Sequence, residues 1–156
     1  MAIHFTKEQV LEFLKNNQIM SIATINGKKP LSSVVAYAIN DDFTFYFISH
    51  QTSYKTKALI TNPLVGFSIW EKSKMLIQAD GIAHVLPDDG ADEIMDKIAH
   101  AMAEVKDFWP PLFRARGGKE GRDYAVFEIR PTWMRALDLS SLHIKEGELP
   151  FTEFTF

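Results

Sequence analysis

The chain has 156 residues, of which 46% are hydrophobic and 24% charged, and its formal net charge is -3 at pH 7. This composition is typical of one globular domain and excludes a disordered chain. The chain has no cysteine, which excludes disulfides, thiol catalysis and thiolate metal sites and favours a cytoplasmic protein. No apolar run approaches the ~18 residues of a membrane span, and no signal peptide is visible. The slight negative charge argues against a general binder of nucleic acid or anionic membranes.

The first third of the chain predicts a helix followed by an antiparallel meander. Thr6 and Gln9 have the spacing of a capping box, and an apolar stripe follows them. Asn26-Gly27 lies between two β-rich segments and predicts a hairpin turn, because both residues tolerate a positive φ. The predicted strands are 19–25, 31–39 and 43–49.

The remainder of the chain predicts further strands and helices joined mostly by short connections. Thr52 or Ser53 begins a short helix that Asn62-Pro63 ends. Asp80-Gly81 indicates a bend or bulge within a strand, and Pro131 breaks the last part of the sheet into two strands. The predicted segments are strands 65–70 and 75–86, helix 88–106, loop 107–123, and strands 124–130 and 133–139.

These elements predict a mainly β (α+β) fold, a six-stranded antiparallel barrel with flanking helices. The single domain covers 1–156, with the barrel at about 5–139 and a C-terminal tail at 140–156. The tail carries three phenylalanines, so we expect it to pack on this subunit or on a partner.

The stretch from Ser49 to Lys57 has the chemistry of a phosphate cradle. Free N–H groups at a helix start attract anions, hydroxyls add donors, and lysines add positive charge. The same residues also fit an ordinary capped helix with two solvated lysines, and the sequence leaves both interpretations open.

The loop 107–123 could cover or clamp a ligand. Arg114 and Arg116 could bind an acidic substrate, and Trp109 could stack on a flat ring. The alternative is a solvated surface loop anchored by its aromatic residues.

Motifs for other kinds of chemistry are missing from the sequence. The five histidines have no metal-ligand spacing, so we predict no metal site. No serine-hydrolase elbow, dinucleotide motif or complete P-loop occurs. Any enzymatic chemistry is therefore expected to belong to a cofactor.

The order of these motifs resembles the pyridoxamine 5′-phosphate oxidase-related, FMN-binding split-barrel family, and is nearest to its short general-stress-protein-like members. The resemblance covers about residues 5–139. It depends on IMSIATINGKKPLSSVVAYAI, on FTFYFISHQTSYKTKALITNPLVGFSIW and on MLIQADGIAHVL.

The resemblance implies a homodimer with FMN in each of two clefts between the subunits and a small-molecule substrate. Ser53 and Lys55 match positions that hold the FMN phosphate. The other implied contacts lie along the ring or beside it, and they are Ser33, Val34, Val35, Ile48, Ser49 and Gln78. No residue is assigned as catalytic.

The sequence also departs from the pyridoxamine phosphate oxidases. Those enzymes have an arginine where Ser33 aligns, and a C-terminal segment with arginine and histidine that this chain lacks. We therefore expect an FMN-dependent oxidoreductase that does not oxidise vitamin B6. The alternatives are a non-catalytic flavin- or haem-binding or sensing protein on the same barrel and a deazaflavin-dependent reductase.

Overall fold

The computed structural model describes residues 5–101, 124–140 and 151–156, which contain three helices and seven strands. None of the described helices is long and apolar enough to cross a membrane. In chain order the elements are α1 (Lys7–Lys15), β1 (Ile19–Asn26), β2 (Lys29–Ile39), β3 (Phe45–His50), α2 (Tyr54–Thr61), β4 (Leu64–Glu71), β5 (Met75–Val85), α3 (Asp88–Ala101), β6 (Tyr124–Asp138) and β7 (Phe151–Thr155).

Six of the strands close into an antiparallel barrel. Their order is β3-β2-β1-β4-β5-β6, and an additional pairing of β3 with β6 completes the circle. The seventh strand, β7, pairs only with β6 in the described part of the chain. The predicted mainly β fold with a six-stranded barrel and flanking helices is confirmed.

The barrel interior is filled by aromatic and branched aliphatic side chains. Alternation along each strand points one set of residues inward, as in β1, where Met20 and Ile22 are buried and their neighbours are exposed or half-buried. Phe47 and Phe127 stack inside with ring centroids 5.0 Å apart. Burying a large apolar side chain contributes about 1.5–3 kcal/mol, so this interior is the main source of stability.

The first helix covers the barrel through two buried residues, Val10 and Leu14. Both halves of the capping box at Thr6 and Gln9 are present, as the spacing predicts. The hydroxyl of Tyr37 on β2 donates to the carbonyl of Leu14 at 2.6 Å. Burial raises the pKa of Tyr37 far above its ordinary value, so this hydroxyl stays a neutral donor that ties α1 to β2.

The predicted break at Pro131 is wrong, because β6 continues without interruption from Tyr124 to Asp138. Gly81 pairs with Pro131 and Asp80 pairs with Trp133, which leaves Thr132 as an extra residue in β6. A β-bulge is one of the few sheet positions that accept proline, since no ladder N–H is needed there. The bulge predicted at Asp80-Gly81 therefore accommodates the proline that was expected to end the strand.

Two turns lie one or two residues from their predicted positions. The hairpin loop is Gly27-Lys28, and Asn26 belongs to β1. Only glycine takes a positive φ in this loop, at 65°, which is the requirement for the first position of a two-residue hairpin loop. Phe43 also has a positive φ, 66°, and it closes a loop in which Asn40 donates to the Thr44 carbonyl. The third strand consequently starts at Phe45 and not at Phe43.

The aromatic tail packs on its own subunit. Residues 151–155 form β7, which the sequence did not predict, and Phe154 contacts the barrel core. The ring of Phe156 lies 5.4 Å from that of Phe43, centroid to centroid. The predicted loop 107–123 and the final residues of the predicted helix 88–106 lie outside the described residues.

Candidate functional site

A cavity of about 220 Å³ opens where β3 ends and α2 begins. Helix α3 covers one side of it through Ile98, and the start of β6 supplies Tyr124. The wall combines apolar side chains from the strands with polar side chains from the β3–α2 connection. The lining residues are Val35, Ala36, Ile48, Ser49, His50, Ser53, Lys55, Ile98 and Tyr124.

Hydroxyl groups converge at the polar end of this cavity. Ser53 is the N-cap of α2 and accepts from the Thr56 N–H at 3.2 Å. Its Oγ lies 2.8 Å from the buried Ser49 Oγ, and Thr56 Oγ1 lies 2.7 Å from the same Ser49 atom. Ser49 is held inward by β3, Ser53 precedes α2 as its N-cap, and Thr56 lies in the first turn of α2, so the strand end and the helix start form one polar cluster.

Lys55 adds a positive charge to this polar cluster. Its side chain is half-buried, and its Nζ donates to Ser49 Oγ at 3.1 Å. Desolvation by burial lowers the pKa of Lys55, because an ammonium ion loses hydration when it leaves water. Among the described residues no carboxylate forms an ion pair with it. The cavity therefore contains a cation that no described acid neutralises, next to donors suited to an anionic oxygen.

His50 lines the same cavity at the end of β3. Its Nδ1 lies 3.2 Å from the Thr52 N–H and 2.8 Å from Thr52 Oγ1. A backbone N–H can only donate, so Nδ1 accepts and the neutral ring carries its proton on Nε2. The ring meets Tyr124 edge to face at 5.3 Å between centroids, in the register that pairs β3 with β6.

The structure brings together five of the eight predicted cofactor positions and separates three. Those that line the cavity are Val35, Ile48, Ser49, Ser53 and Lys55. Ser33 is half-buried opposite Ile22, and Val34 is 45% exposed on the outside of the barrel. Gln78 lines a different hollow. The predicted substrate residues Trp109, Arg114 and Arg116 lie outside the described residues.

The hollow that contains Gln78 lies on the outer face of the sheet and has a volume of about 350 Å³. Its side chains come from strands β1, β2, β4, β5 and β6. Arg135 Nε donates to Gln78 Oε1 at 2.6 Å, which fixes the amide with its NH₂ group turned away from the arginine. Gln78 and Lys55 therefore belong to separate surfaces of one chain.

Several lining residues were not predicted from the sequence. Ala36, Ile98 and Tyr124 enter the cavity only through the packing of β2, α3 and β6. Among the described residues no cluster of histidine, aspartate and glutamate could hold a metal ion.

Comparisons with known proteins relate this chain to a family by sequence and to solved structures by fold. The family model described as pyridoxamine 5′-phosphate oxidase matches residues 6–138. General stress protein 26 of Bacillus anthracis strain Sterne is 16% identical, with a TM-score of 0.68 over 96% of this chain and 98% of that chain. An FAD-binding protein of Mesorhizobium loti is 19% identical, with a TM-score of 0.67 over 85% of this chain and 94% of that one.

The heme storage protein of Vibrio cholerae is 13% identical, with a TM-score of 0.63 over 80% of this chain and 89% of that one. At such identities these solved structures show the shared fold alone. The comparison with curated proteins gives no match. The family model, however, spans most of the chain, and the chain belongs to the pyridoxamine 5′-phosphate oxidase family.

Proposed function

We propose that this protein is an FMN-binding flavoprotein, an oxidoreductase that acts on a small molecule as a homodimer. The observation that carries the proposal is the half-buried Lys55 in the β3–α2 cavity, whose charge no described carboxylate pairs with. Membership of the family and the likeness to an FAD-binding protein support a flavin as the ligand. Bound FMN would supply the hydride or electron transfer.

The residues of the cavity fit the two ends of an FMN molecule. Lys55 would form a charge-assisted hydrogen bond with the phosphate, and the hydroxyls of Ser49 and Ser53 would add further donors on turning their protons from the present hydroxyl cluster to the ligand. The N–H groups that begin α2 favour the same anion. Val35 and Ile48 offer the apolar surface that a flat ring requires.

A second subunit would complete this site. Gln78, predicted to reach the flavin ring, lines the outer hollow and not the cavity of Lys55. A homodimer that sets the hollow of one subunit against the cavity of the other would bring both to one ligand. Large apolar side chains exposed on the same outer sheet face support such a partner, and they are Ile25, Val34, Leu64 and Trp70.

The test is a titration of the protein with FMN and with riboflavin, which has the same ring and no phosphate, followed by flavin fluorescence. We expect FMN to bind more tightly. A hydrogen bond to a charged group contributes about 1.5–3 kcal/mol, so Lys55→Met should weaken FMN binding about ten- to hundredfold. The same change should leave riboflavin binding nearly constant.

Lys57→Met is the matched control, since Lys57 lies on the same helix but is exposed. It should change FMN affinity less than twofold, because an exposed lysine is screened by water. Equal affinity for FMN and riboflavin, or equal effects of the two substitutions, would overturn the proposal.

Haem is the second candidate ligand. The likeness to a heme storage protein and the exposed His50 at the cavity favour it, since imidazole is a common iron ligand. Ligation through Nε2 would require the ring to move its proton to Nδ1 and to release the Thr52 N–H. Haem that binds in preference to FMN, with an absorbance spectrum altered by His50→Ala, would replace the flavin proposal.

A further inference from the structure

Arg135 on β6 carries a charge that no described carboxylate neutralises. It is half-buried, and it takes part in no ion pair among the described residues. Glu153 faces it across the β6–β7 pair but is exposed and makes no ion pair with it. Arg130 on the same strand is different, because its Nε lies 2.7 Å from Glu128 Oε1. Within the described part of the chain, Arg130 thus has an acidic partner and Arg135 on the same strand has none.

The guanidinium of Arg135 is held in place on two sides. Its Cζ lies 4.1 Å from the centroid of the Phe151 ring and 5.6 Å from that of Trp133. Its Nε is already engaged by Gln78. The remaining four N–H groups belong to the two terminal nitrogens, and no acceptor for them occurs in the described part of the chain. Two terminal nitrogens in a fixed plane match the two oxygens of a carboxylate.

The hollow beside this guanidinium has room for a small ring. Its volume is about 350 Å³, and Trp133 lines it together with Ser21, Ser32 and Ser68. Gly66 is among the lining residues and contributes no side chain to the hollow. No acidic residue lines it within the described residues. The hollow therefore combines a fixed cation, neutral hydrogen-bonding groups and one aromatic wall.

We propose that this hollow binds a small planar carboxylate, with the terminal nitrogens of Arg135 on the carboxylate and the ligand ring near Trp133. The inference deepens the proposed function and rests on it, because Gln78 lines the same hollow and is the residue predicted to reach the flavin. The carboxylate would then belong to the substrate class of the flavin site. Strand β7 has a role in this arrangement, since it supplies Phe151 behind the guanidinium.

The experiment is isothermal titration calorimetry of the purified protein with benzoate, and with the neutral, similarly shaped benzamide, in the presence and absence of FMN. We expect benzoate to bind and benzamide to bind at least about tenfold more weakly. Arg135→Gln should weaken benzoate binding at least about tenfold. Arg135→Lys should give an intermediate loss, because a lysine is a point charge that lacks the planar fork.

Arg130→Gln is the matched control and should change benzoate affinity less than about twofold. Circular dichroism and melting temperature identify any variant that fails to fold. If Arg135→Gln fails to fold, Arg135→Lys still provides the test, because it keeps a cation beside the aromatic rings. Equal binding of benzoate and benzamide, no binding of benzoate, or unchanged affinity in both Arg135 variants would overturn the inference. FMN that fails to bind while benzoate still depends on Arg135 would contradict the proposed function and leave the carboxylate site standing.

Discussion

Lys55 gives the candidate site a pH dependence whose direction follows from its burial. Desolvation lowers the pKa of Lys55 from its ordinary value of 10.5, so the ammonium ion loses its proton at a lower pH than an exposed lysine. Only the charged form attracts the phosphate. As pH rises through the lowered pKa, we expect the affinity for FMN to fall toward that for riboflavin, by up to tenfold for each pH unit. Titrations of both flavins across the alkaline range measure the ratio directly.

The substitution Lys55→Arg isolates the cause of this fall. Arginine keeps its charge throughout the range, so the ratio of FMN to riboflavin affinity should stay constant with pH in this variant. Riboflavin also corrects for ionisation of the ring itself, which both flavins share. A ratio that falls equally in the wild type and in Lys55→Arg would show that another group is responsible.

The β5–β6 bulge lies within the longest strand pairing. The backbones of the two strands approach so closely there that position 81 requires glycine. A Cβ at position 81 would lie 2.5 Å from the backbone oxygen of Arg130, closer than packed atoms approach. Gly81→Ala should therefore lower the free energy of unfolding by about 1–3 kcal/mol. The urea midpoint of unfolding, followed by circular dichroism, measures this change.

Gly66→Ala is the control, since a Cβ there meets only the Ala79 carbonyl at 3.9 Å. Its free energy of unfolding should change by less than about 0.5 kcal/mol. Equal free energies of unfolding for the two variants would contradict this prediction, because β6 would then have moved away from the added Cβ with no loss of stability.

The same bulge shows which elements the sequence could predict. The capping box at Thr6, the hairpin at Gly27 and the bend at Asp80-Gly81 depend on local chemistry, and each is present. The break expected at Pro131 failed because pairing with β5 provides a position for proline that local rules do not reveal. Strand β7 was missed for a similar reason, since its short segment becomes a strand only when β6 supplies the partner.

The residues of the candidate site also differ in whether local sequence could predict them. Ser49, Ser53 and Lys55 are close in sequence, so the strand-to-helix pattern was enough to place them together. Tyr124 reaches the cavity through the distant pairing of β3 with β6, and Arg135 reaches Gln78 through that of β5 with β6. A single sequence does not show which residues of two distant strands are paired.

The whole molecule exposes an apolar outer face that we expect a second copy to cover. Leu64 is 55% exposed and Ile25 is 40% exposed, and both line one hollow of about 450 Å³ between β1 and β4. If this face lies in the dimer interface, Leu64→Glu would place an unpaired charge there and shift the protein toward monomer. Light scattering at micromolar concentration should give a dimer for the wild type and a lower mean mass for the variant.

Val85→Glu provides the matched control for this shift. Val85 is also exposed, at 46%, but it follows the inward-facing alternation of β5 and so lies on the opposite face of the sheet from Leu64. It should leave the dimer intact. Because a shared site needs both subunits, the Leu64→Glu variant should also lose FMN affinity as it dissociates, whereas Lys55→Met should lose FMN affinity and remain dimeric. A wild-type monomer that binds FMN tightly would contradict the shared site, and the flavin would then have to be held by the Lys55 cavity of one chain.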